Sequence, residues 1–267
     1  MQLKPRKPKE REGLLLMLDF AANVLTTPGP CLFATGQAGF IIKSSSGQLL
    51  AIDLYLSNCV ERVEGHKGFK RLLPQILDPS ALTFDYIICT HPHLDHFDID
   101  AVPEMVSKGS KLLCSVDCEK LIHQLQMEYY SPFITYVKPG DKVEDGDFDI
   151  TFVNCDHGTG ALDAVGVVVK VDGKTIYEVG DSCLRLDRVN EISRPLDILI
   201  SPINGMYGNM NSDDTAKLAE TLQPGLTIPC HYGMFASHGG DLNRFYDVMT
   251  EKQLPLLIMQ QGEVYKL

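Results

Sequence analysis

The sequence predicts an α/β protein in which two similar halves, each a β-sheet covered by helices, stack into a layered sandwich. Short β-rich segments come first in each half, and alternating strand and helix signals follow them. This order occurs twice along the 267 residues. Because no low-complexity linker divides the chain, we expect one domain over residues 1–267, with residues 1–12 as a charged, flexible tail.

The first half begins with a short amphipathic helix, predicted over residues 13–27. The strand signals that follow are CLFAT, GFIIKS and QLLAID, separated by glycines and the turn SSSG. Residues 85–90, DYIICT, are typical of a nearly continuous apolar strand. Beyond them, DIDAVPEMVSKG predicts a helix, KLLCSV a strand and DCEKLIHQLQM a second helix.

The second half becomes β-rich from residue 140, and Asp172-Gly173 predicts a tight hairpin turn within it. Alternating strand and helix signals then resume. DILISPI predicts a strand, and SDDTAKLAETL predicts a helix with Ser212 as its N-cap. LTIPCH predicts the next strand, and DLNRFYDVMTEK predicts the last helix.

Composition limits the classes of function. With 44% hydrophobic and 22% charged residues, the chain can bury an ordinary globular core. A net charge of −11 argues against a broad nucleic-acid surface, and the apolar run at residues 14–18 is too short to span a bilayer. Eight cysteines are too sparse for a disulfide scaffold. We therefore expect a cytoplasmic protein with reduced thiols and with neither nucleic acid nor a membrane as partner; a homo-oligomer is compatible with this composition.

The segment THPHLDHFD at residues 90–98 contains three of the eight histidines and two aspartates. Alternate residues of an extended turn point the same way, so His91 and His93 can share one metal, while Asp95 and His96 face an adjacent position. Imidazole and carboxylate are the usual ligands of zinc and similar ions. A polar loop of structural histidines is the alternative, and it fits a lone histidine better than this cluster.

One segment cannot fill a coordination sphere, and three further ligand-type residues stand just past apolar strands. His157 follows DITFVNC, Asp181 follows TIYEVG, and His231 follows LTIPC. Because open α/β sheets gather their sites at the carboxyl ends of strands, we expect these residues to meet the histidine motif. The motif would then form half of a two-metal centre.

The order and spacing of these residues resemble the metallo-β-lactamase superfamily over nearly the whole chain. The segments GQAGFIIKSSSGQLLAIDLYLSN, HFD, YEVGDS and IPCHYGMF are similar to its L-ascorbate-6-phosphate lactonase-like branch. The resemblance implies an αββα four-layer sandwich with the metals at one edge of the sheets. It also implies a ligand set: His91, His93 and His157 for the first metal, Asp95, His96 and His231 for the second, and Asp181 as the bridge.

The activity that the resemblance implies is that of a metal-dependent hydrolase with two divalent ions, Zn or Mn, with Fe as a third option. Two such ions lower the pKa of a shared water and supply hydroxide for attack on a carbonyl carbon or on phosphorus. Asp95 is a candidate catalytic residue that orients the nucleophile and passes a proton to the leaving group. His238, in the glycine-rich loop FASHGGD, is a candidate to bind substrate or donate a proton, and an exposed loop histidine is the alternative.

Two classes of substrate are open. The first is a small-molecule ester, including a phosphorylated lactone. The second is a small phosphodiester or nucleotide, because the same hydroxide attacks phosphorus. A metal-binding scaffold without turnover is a third reading, and the complete ligand set argues against it, since structural sites are closed and single.

Other residues near the motifs have two readings each. Asp53 either accepts a hydrogen bond from a ligand histidine or ends a strand. Cys155 and Cys230 lie beside predicted ligands and are expected to pack in the core. The loop at residues 203–214 is expected to contact substrate, with Tyr207, Asn209 and Asn211 as its candidates, or to be a plain connection.

Overall fold

The structure, a computed structural model, describes residues 8–158 and 160–267, with side chains from residue 16 onward. It contains two β-sheets and six α-helices among the described residues. The helices are α1 (Pro8–Thr26), α2 (Cys59–Glu64), α3 (Ala101–Ser107), α4 (Glu119–Gln124), α5 (Ser212–Leu222) and α6 (Leu242–Glu251). The strands are β1 (Cys31–Gly36), β2 (Gly39–Lys43), β3 (Leu49–Ile52), β4 (Tyr86–Cys89), β5 (Lys111–Ser115), β6 (Ile134–Val137), β7 (Lys142–Asp145), β8 (Phe148–Asn154), β9 (Val165–Val171), β10 (Lys174–Glu178), β11 (Ile198–Pro202), β12 (Leu226–Cys230) and β13 (Val264–Lys266).

The two sheets have related topologies. The seven-stranded sheet has the order β13-β1-β2-β3-β4-β5-β6, and the six-stranded sheet has the order β12-β11-β10-β9-β8-β7. In the first sheet β1, β2 and β3 pair antiparallel, and β3 to β6 pair parallel. In the second, β7 to β10 pair antiparallel, and β10 to β12 pair parallel. The expectation of two similar halves is confirmed.

The alternation of side chains along the strands divides the core into layers. In β2, Ile41 packs on the outer face of the first sheet with Phe20 of α1, whereas Phe40 and Ile42 face the second sheet. Successive strand residues point to opposite faces, so an apolar strand fills both layers at once. The second sheet repeats this pattern, because α5 and α6 cover its outer face. The layers are helix, sheet, sheet and helix, as predicted.

The parallel strands determine where a site can form. β3 and β4 end at the same edge of the first sheet, and β10 and β12 end at the same edge of the second. Every predicted ligand follows one of the strands β4, β8, β10 and β12. None of the described helices is long and apolar enough to cross a membrane.

Helix α1 begins earlier than the sequence indicated. The predicted tail covered residues 1–12, but residues 8–12 are helical, and residues 1–7 lie outside the described part. Proline is well tolerated in the first turn of a helix, where its missing N–H would have no partner, and the Lys, Glu and Arg residues that follow Pro8 are good helix formers. The polar start of the chain therefore extends the helix instead of ending it.

The N-cap of α5 is Asn211 and not Ser212. The Asn211 side chain accepts a hydrogen bond from the backbone N–H of Asp214 at 2.9 Å, and the Asp214 carboxylate accepts from the backbone N–H of Asn211. This reciprocal pair is a capping box. The Ser212 hydroxyl donates to the carbonyl of Asp241 instead, which ties α5 to the start of α6.

Candidate metal centre

The histidine motif folds into a tight loop between β4 and α3. The backbone N–H groups of His96 and Phe97 both donate to the carbonyl of His93, at 2.9 and 2.7 Å. Asp98, the second aspartate of the motif, accepts hydrogen bonds from the backbone N–H groups of Leu56 and Ser57. It also accepts from the backbone N–H groups of Asp100 and Ala101, where α3 begins. Asp98 is therefore the anchor of the loop, and the three histidines and Asp95 of the motif lie at the site.

Three imidazole nitrogens converge at one end of the site. Nδ1 of His93 lies 3.0 Å from Nε2 of His91 and 3.0 Å from Nε2 of His157. Nitrogen ligands about 2.0–2.1 Å from a tetrahedral zinc are separated by roughly 3.3 Å. The spacing of this triad, which also lies within reach of Asp181, is therefore close to that of a metal's ligands.

A second cluster shares Asp181 with the first. Nε2 of His231 lies 3.1 Å from Oδ2 of Asp181, 3.2 Å from Nε2 of His96 and 3.4 Å from Oδ2 of Asp95. The same carboxylate of Asp181 reaches Nε2 of His157 at 3.8 Å and Nε2 of His96 at 3.4 Å. The structure thus brings all seven predicted ligands together, with Asp181 between the two groups.

The triad is held in its neutral form. Burial and the neighbouring His96 lower the pKa of His91 well below its usual value, and burial likewise lowers the pKa of His93. The pKa of His157 falls to about 4, mainly through burial. Neutral imidazole is the form that binds a metal, so these rings need not lose a proton first.

The second cluster carries buried charge. Burial favours the neutral carboxyl, but His231 and His96 outweigh it and hold the pKa of Asp181 well below its usual range. Burial likewise favours the neutral carboxyl of Asp95, but His96 outweighs it and holds the pKa of Asp95 well below its usual range. Burial alone would lower the pKa of His231, but Asp181 and Asp95 raise it to about 9. Two ionised carboxylates in this buried space require compensating positive charge, which protonated histidines or divalent cations supply. The donor set therefore fits two such ions, and His/Asp ligands accept zinc, manganese or iron.

Glu178, at the end of β10, is buried near this cluster. Neither of its carboxyl oxygens has a hydrogen-bond partner among the described residues. Burial, followed by the charge of Asp53, raises its pKa well above the usual value. Glu178 is therefore neutral and adds no negative charge to the site.

Hydrogen bonds to residues outside the ligand set orient the rings of His91 and His96. The Asp53 carboxylate accepts from Nδ1 of His96 at 2.6 Å and from the Thr90 hydroxyl at 2.6 Å. The Thr90 oxygen lies 3.0 Å from Nδ1 of His91 and accepts there, because its proton is used on Asp53. Both rings thus turn their Nε2 lone pairs towards the site. Of the two readings of Asp53, the structure supports the hydrogen-bond acceptor.

A cavity of about 470 Å³ opens beside the two clusters. Metal-ligand candidates form its floor, and its walls are mostly apolar or aromatic. The wall residues are Val60, Glu64, Lys67, Phe69, Pro92, Leu94, Tyr207, Phe235 and His238. A cavity of this size admits a small molecule.

His238 is a buried cavity residue, so the alternative of an exposed loop histidine is wrong. Only 6% of it is exposed. Its ring centroid lies 5.3 Å from those of Phe69 and Phe235 and 5.4 Å from that of Tyr207. Burial and His231 lower its pKa to about 4. A neutral ring in an aromatic cage suits a hydrogen-bond donor to substrate.

The other sequence candidates lie in different places. Tyr207 lines the cavity, whereas the side chain of Asn211 caps α5 and that of Asn209 is buried. Cys155 and Cys230 are buried in apolar clusters, and neither joins a group of potential ligand atoms among the described residues. The loop at residues 203–214 thus contributes one residue to the cavity.

Sequence reasoning missed three residues of the site: Gln37, Phe69 and Phe235. The amide nitrogen of Gln37 lies 2.8 Å from Oδ2 of Asp95 and 3.0 Å from Nδ1 of His238. A polar residue in the turn GQAG between two apolar strands was the available signal. The two phenylalanines had no signal of this kind, because apolar residues normally indicate the core.

Comparisons with known proteins agree with the fold and the site. A family model described as a beta-lactamase superfamily domain matches residues 55–232, which is more than half of the chain and includes every predicted metal ligand. The chain therefore belongs to the beta-lactamase superfamily. Its class is that of a metal-dependent hydrolase, as predicted.

Individual relatives are distant but cover most of the chain. A UPF0173 metal-dependent hydrolase of Thermococcus kodakarensis is 27% identical over 238 residues, spanning 87% of this chain and 97% of that protein. Another from Pyrococcus abyssi is 27% identical over 246 residues, with the same coverage. The solved structure of Igni18, a metallo hydrolase from Ignicoccus hospitalis, superposes with a TM-score of 0.67 at 22% identity, over 89% of this chain and 98% of that one.

Proposed function

We propose that the protein hydrolyses a small ester that is uncharged or carries a single charge, with a lactone as the first candidate. The proposed cofactors are two divalent ions, Zn or Mn, held by the seven side chains named above. The observation that carries this proposal is the cavity beside the clusters, whose walls are largely apolar and aromatic.

The charge of the cavity wall supports an uncharged substrate over a phosphorylated one. Lys67 is the one basic side chain in the described lining, and its Nζ lies 3.3 Å from Glu64. Recognition of a phosphate group normally uses several charged or N–H donors. A lysine that is already paired with a carboxylate leaves little positive charge for a second anion. A phosphorylated lactone, whose phosphate would lie away from the metals, is therefore the weaker candidate, and a small phosphodiester, whose phosphate would lie at the metals, is the alternative substrate.

The protein's own residues have distinct tasks in such a reaction. Divalent ions, when bound, supply Lewis acidity and lower the pKa of the water that they contact. Asp95 is ionised and has Oδ2 held by Gln37, so its other oxygen, Oδ1, is the acceptor that orients the attacking water and holds its proton. The aromatic walls exclude bulk water, which strengthens each polar contact to the substrate.

His238 is proposed to bind the substrate through a hydrogen bond. Because its pKa is about 4, the ring is neutral at pH 7 and does not serve as a strong acid there. A neutral imidazole donates one hydrogen bond, and an ester oxygen is an acceptor that can receive it. This contact would stabilise charge that develops on the ester as it is attacked.

The thiols support a cytoplasmic location. All eight cysteines are free, and seven of them are buried. Free thiols persist in reducing compartments, so the cytoplasm is the proposed location. A small molecule is the proposed partner, and light scattering would show whether the chain also forms a homo-oligomer.

The test combines metal analysis with a substrate screen. Protein purified without a histidine tag is analysed for Zn, Mn and Fe and is then assayed with neutral lactones, linear esters, phosphorylated lactones and phosphodiesters. About two ions per chain with the highest kcat/KM on neutral lactones would support the proposal. Higher kcat/KM on phosphodiesters would contradict the proposed substrate, and no turnover after Zn or Mn is restored would contradict the hydrolase assignment. His93→Ala serves as the control for contaminating activity.

A further inference from the structure

Gln37 is a buried polar residue whose backbone is joined to a ligand strand. It lies in the turn between β1 and β2, and its φ of 55° is in the left-handed region. Its carbonyl oxygen accepts a hydrogen bond from the backbone N–H of His231 at 2.8 Å. A non-glycine residue keeps such a conformation only where its surroundings hold it there. The turn is thus attached to the end of β12, and the Gln37 side chain is directed into the site.

The chemistry of Asp95 determines which end of the Gln37 amide faces the site. The closest atom lies 2.8 Å from Oδ2 of Asp95, and a carboxylate that binds a metal has lost its proton and can only accept hydrogen bonds. The facing atom is therefore the amide nitrogen, which has two hydrogens. One of them is donated to Asp95, and one remains.

Three ring nitrogens lie within reach of the second hydrogen, the most distant being Nδ1 of His231 at 3.4 Å from the amide nitrogen. Nδ1 of His238 lies 3.0 Å from the amide nitrogen, and Nε2 of His231 lies 3.2 Å from it. The His231 nitrogen already faces Asp181 at 3.1 Å within the metal cluster. The shorter contact goes to His238, so Nδ1 of that ring accepts a hydrogen bond. A neutral imidazole whose Nδ1 accepts must have its proton on Nε2.

We propose that Gln37 is a positioning residue that, by donating to Nδ1 of His238, fixes that ring with its Nε2–H available to a substrate in the cavity. Nε2 of His238 has no hydrogen-bond partner among the described residues, and it is not one of the atoms sealed from solvent. The aromatic cage of Phe69, Tyr207 and Phe235 holds the plane of the ring, and Gln37 selects the tautomer. The inference rests on the proposed function, because it needs a substrate that accepts this hydrogen bond.

A packing role alone does not explain this residue. Oε1 of Gln37 is buried and has no partner among the described residues. Leaving a buried acceptor unpaired costs about 1–3 kcal/mol, so an apolar side chain would serve packing better. The favourable contacts of the side chain are those of its amide nitrogen, which lies next to Asp95 and His238.

The first test reads the tautomer of His238 directly, without a substrate. Long-range ¹H–¹⁵N spectra of the histidine rings are recorded on zinc-loaded protein, and the His238 signals are assigned by their loss in His238→Phe. The parent protein is expected to show the Nε2–H form. Gln37→Glu keeps the side-chain shape but replaces the donor with an acceptor, so the proton should move to Nδ1. An Nδ1–H form in the parent, or an unchanged tautomer in Gln37→Glu, would overturn the proposal.

A matched control uses another glutamine near the same strands. The amide of Gln261 donates only to the backbone carbonyls of Thr35 and Pro74, at 2.9 and 3.1 Å. Gln261→Glu makes the same chemical change outside the site, and the His238 spectrum should not change. A shift of the tautomer in this control as well would show a general effect of added charge and would contradict a specific role for Gln37.

The second test is a double-mutant cycle on turnover of the best substrate. Gln37→Leu should lower kcat/KM about tenfold in the parent protein, the usual effect of losing one buried hydrogen bond, with metal content unchanged. In the His238→Phe background it should have less than about a twofold effect, because Gln37 acts through that ring. An equal loss in both backgrounds would refute the proposal. Should Gln37→Leu fail to fold, Gln37→Glu takes its place in the cycle.

The two tests separate this inference from the proposed function. If no substrate is turned over, the proposed function fails, while the ring spectra still show whether Gln37 controls the tautomer. If turnover is found and the tautomer does not respond to Gln37, only the positioning role fails.

Discussion

The carboxylate of Asp53 and the imidazole of His96 are joined by a hydrogen bond of 2.6 Å between Oδ2 and Nδ1, and both side chains are completely buried. The backbone N–H of Asp53 donates in turn to the carbonyl of Ile88 in β4, so the acceptor is fixed to the strand that leads into the histidine motif. A buried acceptor of this kind fixes the ring and increases its basicity towards a metal. Asp53, which directly follows β3, thus fixes the orientation of the His96 ring through the ring nitrogen that does not face the site.

Replacement of Asp53 should weaken metal binding. In Asp53→Asn the amide can still accept a hydrogen bond from His96, but the negative charge is lost, and we expect the affinity for Zn or Mn to fall about 10- to 100-fold. Competition with a chelating dye measures this change. The exposed variant Asp247→Asn makes the same substitution outside the site and should bind metal normally. Unchanged affinity in Asp53→Asn would remove Asp53 from the metal centre.

Loss of His93 should remove about one metal per chain and abolish turnover. His93 lines the cavity and is not part of the apolar core, so His93→Ala leaves no void in the core and the fold should persist. Elemental analysis, with circular dichroism as the check on folding, measures both outcomes. His66→Ala, at an exposed histidine, should keep the parent metal content. Unchanged metal content in His93→Ala would refute the ligand assignment.

Replacement of His238 should reduce activity and leave the metals in place. The Phe69, Tyr207 and Phe235 rings that surround His238 can accommodate another aromatic ring, so we expect His238→Phe to fold. We expect kcat/KM to fall roughly 100- to 1,000-fold, the range for loss of one hydrogen-bond donor that acts on developing charge. The surface variant His123→Phe is the control. Parent kinetics in His238→Phe would mean that the ring only packs.

The metal-free protein should lose stability as pH rises through about 9. Burial opposes the protonation of His231, but Asp181 and Asp95 raise its folded-state pKa to about 9, above an unfolded value near 6.5. A raised pKa contributes stability that is fully present below pH 6.5 and disappears as pH passes the folded-state pKa. Between these limits the free energy of unfolding should fall by up to about 3 kcal/mol.

Urea unfolding of chelator-treated protein at pH 6.5, 8 and 9.5 measures this dependence. His231→Gln should make the profile shallower over this range without flattening it, because Asp181 and Asp53 outweigh burial and also raise the pKa of His96, whereas His123→Gln, at an exposed histidine, should leave the profile as in the parent. A parent profile that is flat to pH 9.5 would contradict the charge assignment of the second cluster.

The elements of the fold could be predicted because their signals are local. Apolar runs bounded by glycines identified most strands, and the Asp172-Gly173 hairpin follows from two residues that both adopt positive φ, 48° and 77°. The predicted ligands could be found for the same reason, since each stands just past an apolar strand. Strand β13 was not predicted, because its three half-exposed or exposed residues are recognisable only through their pairing with β1.

The N-cap of α5 shows a case that the sequence alone does not decide. Asn211 and Ser212 are both good N-cap residues, and their order along the chain does not decide between them. A tertiary contact distinguishes the two residues. The Ser212 hydroxyl donates a hydrogen bond to the carbonyl of Asp241, and Asn211 forms the capping box.

By itself, the sequence determined the layered α/β architecture and the set of histidines and aspartates at the strand ends, because strand periodicity and ligand chemistry are properties of neighbouring residues. Only the tertiary structure decided how these side chains are held and what lies beside them. Gln37 contacts Asp95 and His238, which are 58 and 201 residues away, and the wall of the cavity comes from four separate segments of the chain. Contacts of that range depend on how the two sheets pack against each other, and no local pattern of residues encodes them.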